Sequence, residues 1–390
     1  MALLLSVLAT VPAAADTWAP PETTIYVSAD GTWRLVVEPR PVVNPLVYFE
    51  DKVAGKANAG AAAGEARTHA TGRMQQQRNG QWHVSWEKPL INEVAPVEVV
   101  VSNQGATATF DNWHSMGHGS SAIAIYGSDG NLIRRMALSD FLPDTYVAAL
   151  PRSVSSISWR GTPRFSDSQQ ELIVPVVVPE AGHPGAGIFE EAAHVDVRFR
   201  LSDGQRVIID HDAWSAALDR AGEAYDQQQE DKKEARERFV SPLTAPATND
   251  AGDWHAYLVE AYFRTVPDGR DHYPATQVIP LREDEGFSRL SGYLGDALVE
   301  RLGTDGIIMI GSPSQSVMID VLREQITRVK PGSLCSARVY VATDQEHLEE
   351  VRGILRPLRC EIIPIDIDRA IPQRPERIKR YLGRDEDDSD

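Results

Sequence analysis

Long apolar runs and long basic runs are both missing from most of this chain. Beyond the N-terminus no segment is apolar enough for the ~20-residue helix that spans a bilayer, so no membrane span is expected. With no basic run, 56 acidic residues stand against 39 basic ones and leave a formal net charge of -17. So acidic a surface repels phosphate backbones and anionic headgroups, which argues against nucleic-acid and membrane-surface partners. Cysteine is nearly absent, with only Cys335 and Cys360 present. Neither follows the N-terminal apolar stretch, so a lipid-anchored start is not indicated.

What is present suffices for packed cores. With 390 residues, 42% of them hydrophobic, the chain can form two domains of ordinary size. The start, MALLLSVLATVPAAADTW, places an apolar stretch from Ala2 to Val11 before Pro12 and three alanines. Its length is about half that of a spanning helix, and small residues follow it. It reads as a signal peptide of residues 1–15, cut after Ala15, although no Lys or Arg precedes it. The expected location is therefore periplasmic or extracellular, where disulfides can form.

Residues 23–210 read as an all-β domain. IYVSADGTWRLVVEP turns at Asp30-Gly31, AIAIYGSDGNLIRRMAL at Asp129-Gly130 and VDVRFRLSDGQRVII at Asp203-Gly204. VEVVVSNQGATATFDNW has the same shape around Asn103-Gln104-Gly105. Gly supplies positive φ without steric cost, so these are hairpin signals. Residues 25–38 group with 70–88, 97–113 with 121–138, and 154–178 with 195–209, giving three four-stranded meanders. On these hairpins the segment resembles β-propeller blades, without the Trp-Asp ending of one blade type. Propeller rings have about four to eight blades, so three imply an open array, a compact β domain, or half of a ring completed in a homodimer. The whole chain is also similar to exported bacterial proteins of unknown function, a likeness that implies no activity. Two insertions interrupt the pattern. Asp51–Ala66 is Ala/Gly-rich and reads as a mobile loop, and Pro179–His194 is a loop carrying His183 and His194.

Near position 210 the rhythm changes. Residues 211–253 read as a polar helix, capped by Asp212 and apolar at Trp214, Leu218, Ala221 and Tyr225, followed by a Pro-rich linker. Residues 254–375 read as a small parallel α/β domain. Its first stretch, WHAYLVEAYFRTV, fits a helix through Trp254, Leu258 and Ala261. It also alternates like a strand through Tyr257, Val259, Ala261 and Phe263, and the helix is preferred. Four short apolar strands then alternate with amphipathic helices, the signature of right-handed crossovers. Residues 376–390 form an acidic tail. Cys335 precedes the third strand and Cys360 starts the fourth. Neighbouring strands lie about 5 Å apart, so the expectation stands evenly between a disulfide and two buried thiols.

Three clusters are candidates for chemistry. In FDNWHSMGHGSS, Asp111, His114 and His118 supply a carboxylate and two imidazoles, the donor set of a zinc-like site. The competing and preferred reading is a structural turn in which Asp111 and Asn112 bond backbone amides and Trp113 packs between sheets. In GSPSQS, Ser312 and Ser314 open a helix where backbone N–H groups can hold phosphate. Here capping explains every residue: Ser312 as N-cap, Pro313 at the first helical position and Gln315 closing a capping box. At the strands' C-terminal edge, Asp344, Asp366 and Asp368, with Glu283 and Asp284, can hold a divalent cation or serve as a solvated acidic rim. No residue is nominated as catalytic, and no cofactor is required. The preferred expectation is an envelope binding or interaction protein for an unidentified protein or small ligand. The alternative is a hydrolytic or metal-assisted enzyme working at the α/β edge.

Overall fold

The computed structural model describes residues 20–153, 155–182, 192–267, 273–301 and 306–387, with side chains at 300–301 and 384–387 left out. The expected signal peptide, His183 and the end of the acidic tail lie outside the described residues. The chain divides into two compact units, residues 1–232 and 233–390.

The first unit is built from three four-stranded antiparallel sheets. The first contains β1 (Thr24–Val27) and β2 (Trp33–Glu38), then, after helix α1 (Pro45–Val53), β3 (Thr71–Arg78) and β4 (Gln81–Pro89). The second contains β5 (Glu98–Val101), β6 (Thr107–Phe110), β7 (Ile123–Tyr126) and β8 (Leu132–Met136). Helix α2 (Asp144–Ala149) precedes the third, which holds β9 (Arg164–Phe165), β10 (Glu171–Val177), β11 (His194–Arg200) and β12 (Arg206–Val207). Strands follow sequence order in each sheet, and each sheet keeps two free edges, so none closes into a barrel. Helix α3 (His211–Val240) follows. Asp210 rather than Asp212 caps it, accepting the Ala213 N–H at 2.9 Å.

The second sheet lies in the middle. Val99, Val101, Ala124 and Tyr126 pack against Leu35, Val37, Met74 and Trp86 of the first sheet. Ala108, Phe110, Ile123 and Ile125 pack against Leu172, Val174, Val197 and Phe199 of the third. Every residue of β6 and β7 is therefore buried. β7, IAIY, accordingly reads as a continuous apolar run, whereas β6, TATF, buries two threonines. The first hairpins of the three sheets are tied together. The Asp30 N–H donates to Asn103 Oδ1 at 3.1 Å, and the Asn103 N–H donates to Gln169 Oε1 at 2.8 Å.

The second unit holds α4 (Ala251–Thr265), β13 (Ala275–Val278), α5 (Phe287–Asp296), β14 (Ile307–Gly311), α6 (Gln315–Gln325), β15 (Arg338–Thr343), α7 (Leu348–Leu355), β16 (Glu361–Asp366) and α8 (Pro375–Asp387). WHAYLVEAYFRTV is helical because Trp254, Tyr257, Leu258, Ala261 and Tyr262, at three-and-four spacing, are all buried. The sheet is parallel in the order β13-β14-β15-β16. Strands laid down in one direction by right-handed crossovers put their connecting helices on one face. Ile308, Ile310, Val339 and Val341 accordingly pack on α5, α6 and α7. Their alternates Ile307, Met309, Tyr340 and Ala342 pack on α4. Each fully buried aliphatic side chain contributes about 1.5–3 kcal/mol. Among the described residues no helix is long and apolar enough to cross a membrane.

A polar hub closes this unit. Arg264, 5% exposed, donates to Glu260 Oε1 at 2.7 Å and to the carbonyls of Phe239, Ser241 and Ile371. Arg377 and Gln373 donate to the same carboxylate at 3.0 Å. Burial pushes the Glu260 carboxyl up, but the donors from Arg377 and Arg264 outweigh it and hold it below the usual glutamate range. A lowered folded pKa gives stability that is complete above the unfolded value of about 4.3 and is lost as pH falls through the folded value. Glu260→Gln is expected to destabilise the second unit by about 1–3 kcal/mol at pH 7. In urea titrations at stepped pH the difference from wild type should shrink in acid; a pH-independent difference would contradict this role.

Candidate functional site

The turn from Asp111 to Ala122, between β6 and β7, is fixed from below by a buried carboxylate. Asp111 is fully buried. Its Oδ1 accepts the Gly117 N–H at 2.7 Å and the Trp159 Nε1–H at 3.0 Å, and Arg160 Nη2 lies 3.5 Å from Oδ2. Arg160 also pairs with Glu98 and lies over the Phe110 ring at 4.6 Å. Burial is the largest influence on Asp111 and raises its pKa; the Arg160 charge and the N–H donors oppose it. Among the described residues the hydrogen-bond partners of the carboxylate are N–H donors, which suits the ionised form.

The backbone around it is strained. Asp111 and His114 both take left-handed conformations, with φ of 56° and 64°. Such conformations persist in non-glycine residues only where the surroundings over-determine them. Here Asn92 Nδ2–H bonds the Asp111 carbonyl at 2.7 Å, the Trp113 N–H bonds the Ala95 carbonyl at 2.9 Å, and the Ile157 N–H bonds the Met116 carbonyl at 2.9 Å. Gly117 has φ 75°, and a Cβ there would sit 2.6 Å from Ile157 Cβ, so only glycine fits.

The outer side of the turn forms one wall of a cleft of about 540 Å³. His114 stands edge-on to both Trp113 and Phe49, each 4.5 Å away between ring centroids. Helix α1 supplies Phe49 and Lys52, and the segments beside β3 and β4 supply His69, Ile91 and Glu93. The turn adds His118, Ser120 and Ser121, and β8 adds Arg135. Lys52 pairs with Glu93 at 2.6 Å. Burial first, then the Arg152 charge, holds His118 below the ordinary histidine range.

Helix α1 departs from the expected all-β course of residues 23–210. Asn44 caps it by accepting the Val47 N–H at 2.9 Å, and Pro45 starts it. Asn-Pro ahead of an apolar run is a helix-start signal, overshadowed here by the Ala/Gly-rich stretch that follows. That stretch was expected to be mobile, yet it packs. Ala59 is buried against Tyr48 and Trp113, and the Gly60 N–H bonds Asp51. Arg40, 1% exposed, is held by the carbonyls of Glu93, Pro41 and Ala59.

The zinc-like trio does not form a ligand set. Asp111 is turned inward to Gly117 and Trp159, while His118 lies exposed on the cleft side. Among the described residues no group of three His, Cys, Asp or Glu side chains is placed to hold a metal ion.

In the second unit, Ser314 rather than Ser312 caps α6, bonding the Val317 N–H at 3.4 Å. Ser312 is fully buried and accepts the Ser314 N–H at 3.1 Å. Asp344 does not cap α7, whose N-cap position is His347; it accepts the His347 N–H at 2.8 Å in the turn before the helix and also bonds His347 Nδ1 at 2.7 Å. Burial opposes those bonds, but together they hold Asp344 below the usual carboxylate range. His347 was not among the expected site residues; the Asp-x-x-His spacing ahead of a helix is the signal that marks it. Asp366 accepts Gln345 Nε2–H at 2.9 Å and the Asp368 N–H at 3.0 Å. The strand order never reverses, so the sheet has no topological switch point to open a crevice at this edge. The cleft found in this unit, also about 540 Å³, is lined by Ala275–Gln277, Gly306–Ile308 and Tyr293, toward the opposite ends of the strands.

Both cysteines are free, Cys335 exposed and Cys360 partly buried. Register explains this. Arg338 pairs with Glu361, so Cys360 is level with residue 337, and Cys335 lies two residues further out in a turn.

No protein-family model and no curated protein matches this chain.

Asp111→Ala strands the Trp159 and Gly117 donors and leaves the Arg160 charge with Glu98 as its ion-pair partner, and is expected to cost about 3–5 kcal/mol. Gly117→Ala is expected to cost about 2 kcal/mol or more from φ strain and the clash with Ile157. Denaturant midpoints followed by tryptophan fluorescence check both; losses under 1 kcal/mol would contradict the assigned role.

Proposed function

We propose that this chain is an exported binding or interaction protein of the cell envelope, with its binding site in the histidine-bearing cleft of the β unit. One observation supports this above the others: a buried charge holds two non-glycine residues in strained backbone so that the turn presents His114 and His118 to an open cleft. Strain of that kind collects at ligand-binding sites. The cleft's volume falls within the range of small-ligand sites, and its wall mixes aromatic rings with a few polar groups. In this reading the three sheets are propeller-like blades of an open array joined at their first hairpins, and a second copy completes the ring.

A fragment library screened by NMR tests the site. The first resonances to shift should be those of Phe49, His69, His114 and His118; shifts clustered elsewhere would move the site. Native mass spectrometry of protein recovered from the periplasm tests the setting. The expected species starts at Asp16 and has twice the chain mass. A start at Met1 contradicts export, and a monomer contradicts the ring.

A further inference from the structure

The cleft's charge runs against that of the molecule. The chain carries 56 acidic residues to 39 basic ones. Among the described residues that line the cleft the only acidic side chain is Glu93, and Lys52 pairs with it at 2.6 Å. Arg135 is exposed on β8 at the cleft wall and has no carboxylate partner among the described residues. Its position is fixed by the sheet: Arg135 pairs with Ala124, whose side chain packs toward the first sheet, so Arg135 projects from the same face. Arg152 adds positive potential close by, since its charge acts on His118. Ser120 and Ser121 bring hydroxyl groups to the same wall. Phe49, 37% exposed, and Ile91 add apolar surface to the lining. A concave site with low-dielectric walls focuses the field of the charges that line it.

We propose that the cleft takes a small organic anion, an apolar body bearing a carboxylate or related oxyanion. Arg135 receives the oxyanion, the serine hydroxyls donate to it, and the body lies against Phe49 and Ile91. The guanidinium fork matches an oxyanion's geometry, which a neutral hydroxyl cannot reproduce. This inference rests on the cleft being the binding site, and it adds the ligand's charge and shape.

Three probes share one apolar body: 4-phenylbutyrate, 4-phenylbutanol and 4-phenylbutylamine. Acetate serves as the oxyanion alone. Affinities are read by NMR titration of the full chain. Phenylbutyrate is expected to bind about three- to fivefold more tightly than the alcohol, the size of a partly exposed ion pair. The amine should bind more weakly than the alcohol, and acetate more weakly than phenylbutyrate. Arg135→Gln should abolish the preference for acid over alcohol and leave alcohol binding unchanged. If the alcohol or amine matches the acid, or if Arg135→Gln keeps the preference, the anion assignment is wrong while the cleft stands as a site. If none of the three phenyl probes binds, both this inference and the cleft reading fail.

Discussion

The β unit depends on one buried charge. Asp111 sits where the middle sheet's central hairpin opens, and two separate stretches meet at its carboxylate: its own turn through Gly117, and the segment after α2 through Trp159 and Arg160. A carboxylate without partners at this depth would cost far more than the turn could return. The surrounding donors therefore have to be in place together, and placing them dictates the turn. The turn then fixes Trp113 against Tyr48 of α1 and His114 against Phe49. Core, helix and cleft wall are consequences of the same arrangement.

The parallel unit rests on a different principle. Its strands alternate apolar side chains between two helical layers. The polar cluster around Glu260 and Arg264 ties α4 to the backbone at Phe239, Ser241 and Ile371 and to α8 through Arg377. It fastens the edges of the α4 layer rather than forming a site. Because the strand order never reverses, the usual reason for a ligand crevice at the strands' C-terminal ends is missing, and Asp344, Asp366 and Ser314 act mainly within local caps and turns.

Much of the fold was legible because its signals are local. Gly31, Gly130 and Gly204 mark hairpins whose flanking strands pair as expected, and the change of hydrophobic period near 210 separates the meanders from the parallel unit. Caps were misplaced by two residues at Ser312 and Asp212 because a second capping residue, Ser314 or Asp210, stood equally near. The disulfide geometry depended on register, which strand rhythm alone does not set. For Asp111, composition offered either ligation or wiring, and only the positions of Trp159 and Arg160, nearly fifty residues on, show where its oxygens point. The cleft was the least legible feature. Its lining comes from five separate stretches, and Arg135 and Lys52 carry no sequence mark that distinguishes them from other surface cations.

The Asp111 carboxylate sets the shape of the cleft. The imidazole resonances of the ten histidines, compared between wild type and Asp111→Asn, test it most directly. Asparagine keeps the size of the side chain while removing its charge and one acceptor. The account predicts displaced resonances for His114 and His118, with those of His211, His255 and His347 unmoved. Cleft resonances superimposable on wild type in the folded variant would contradict it.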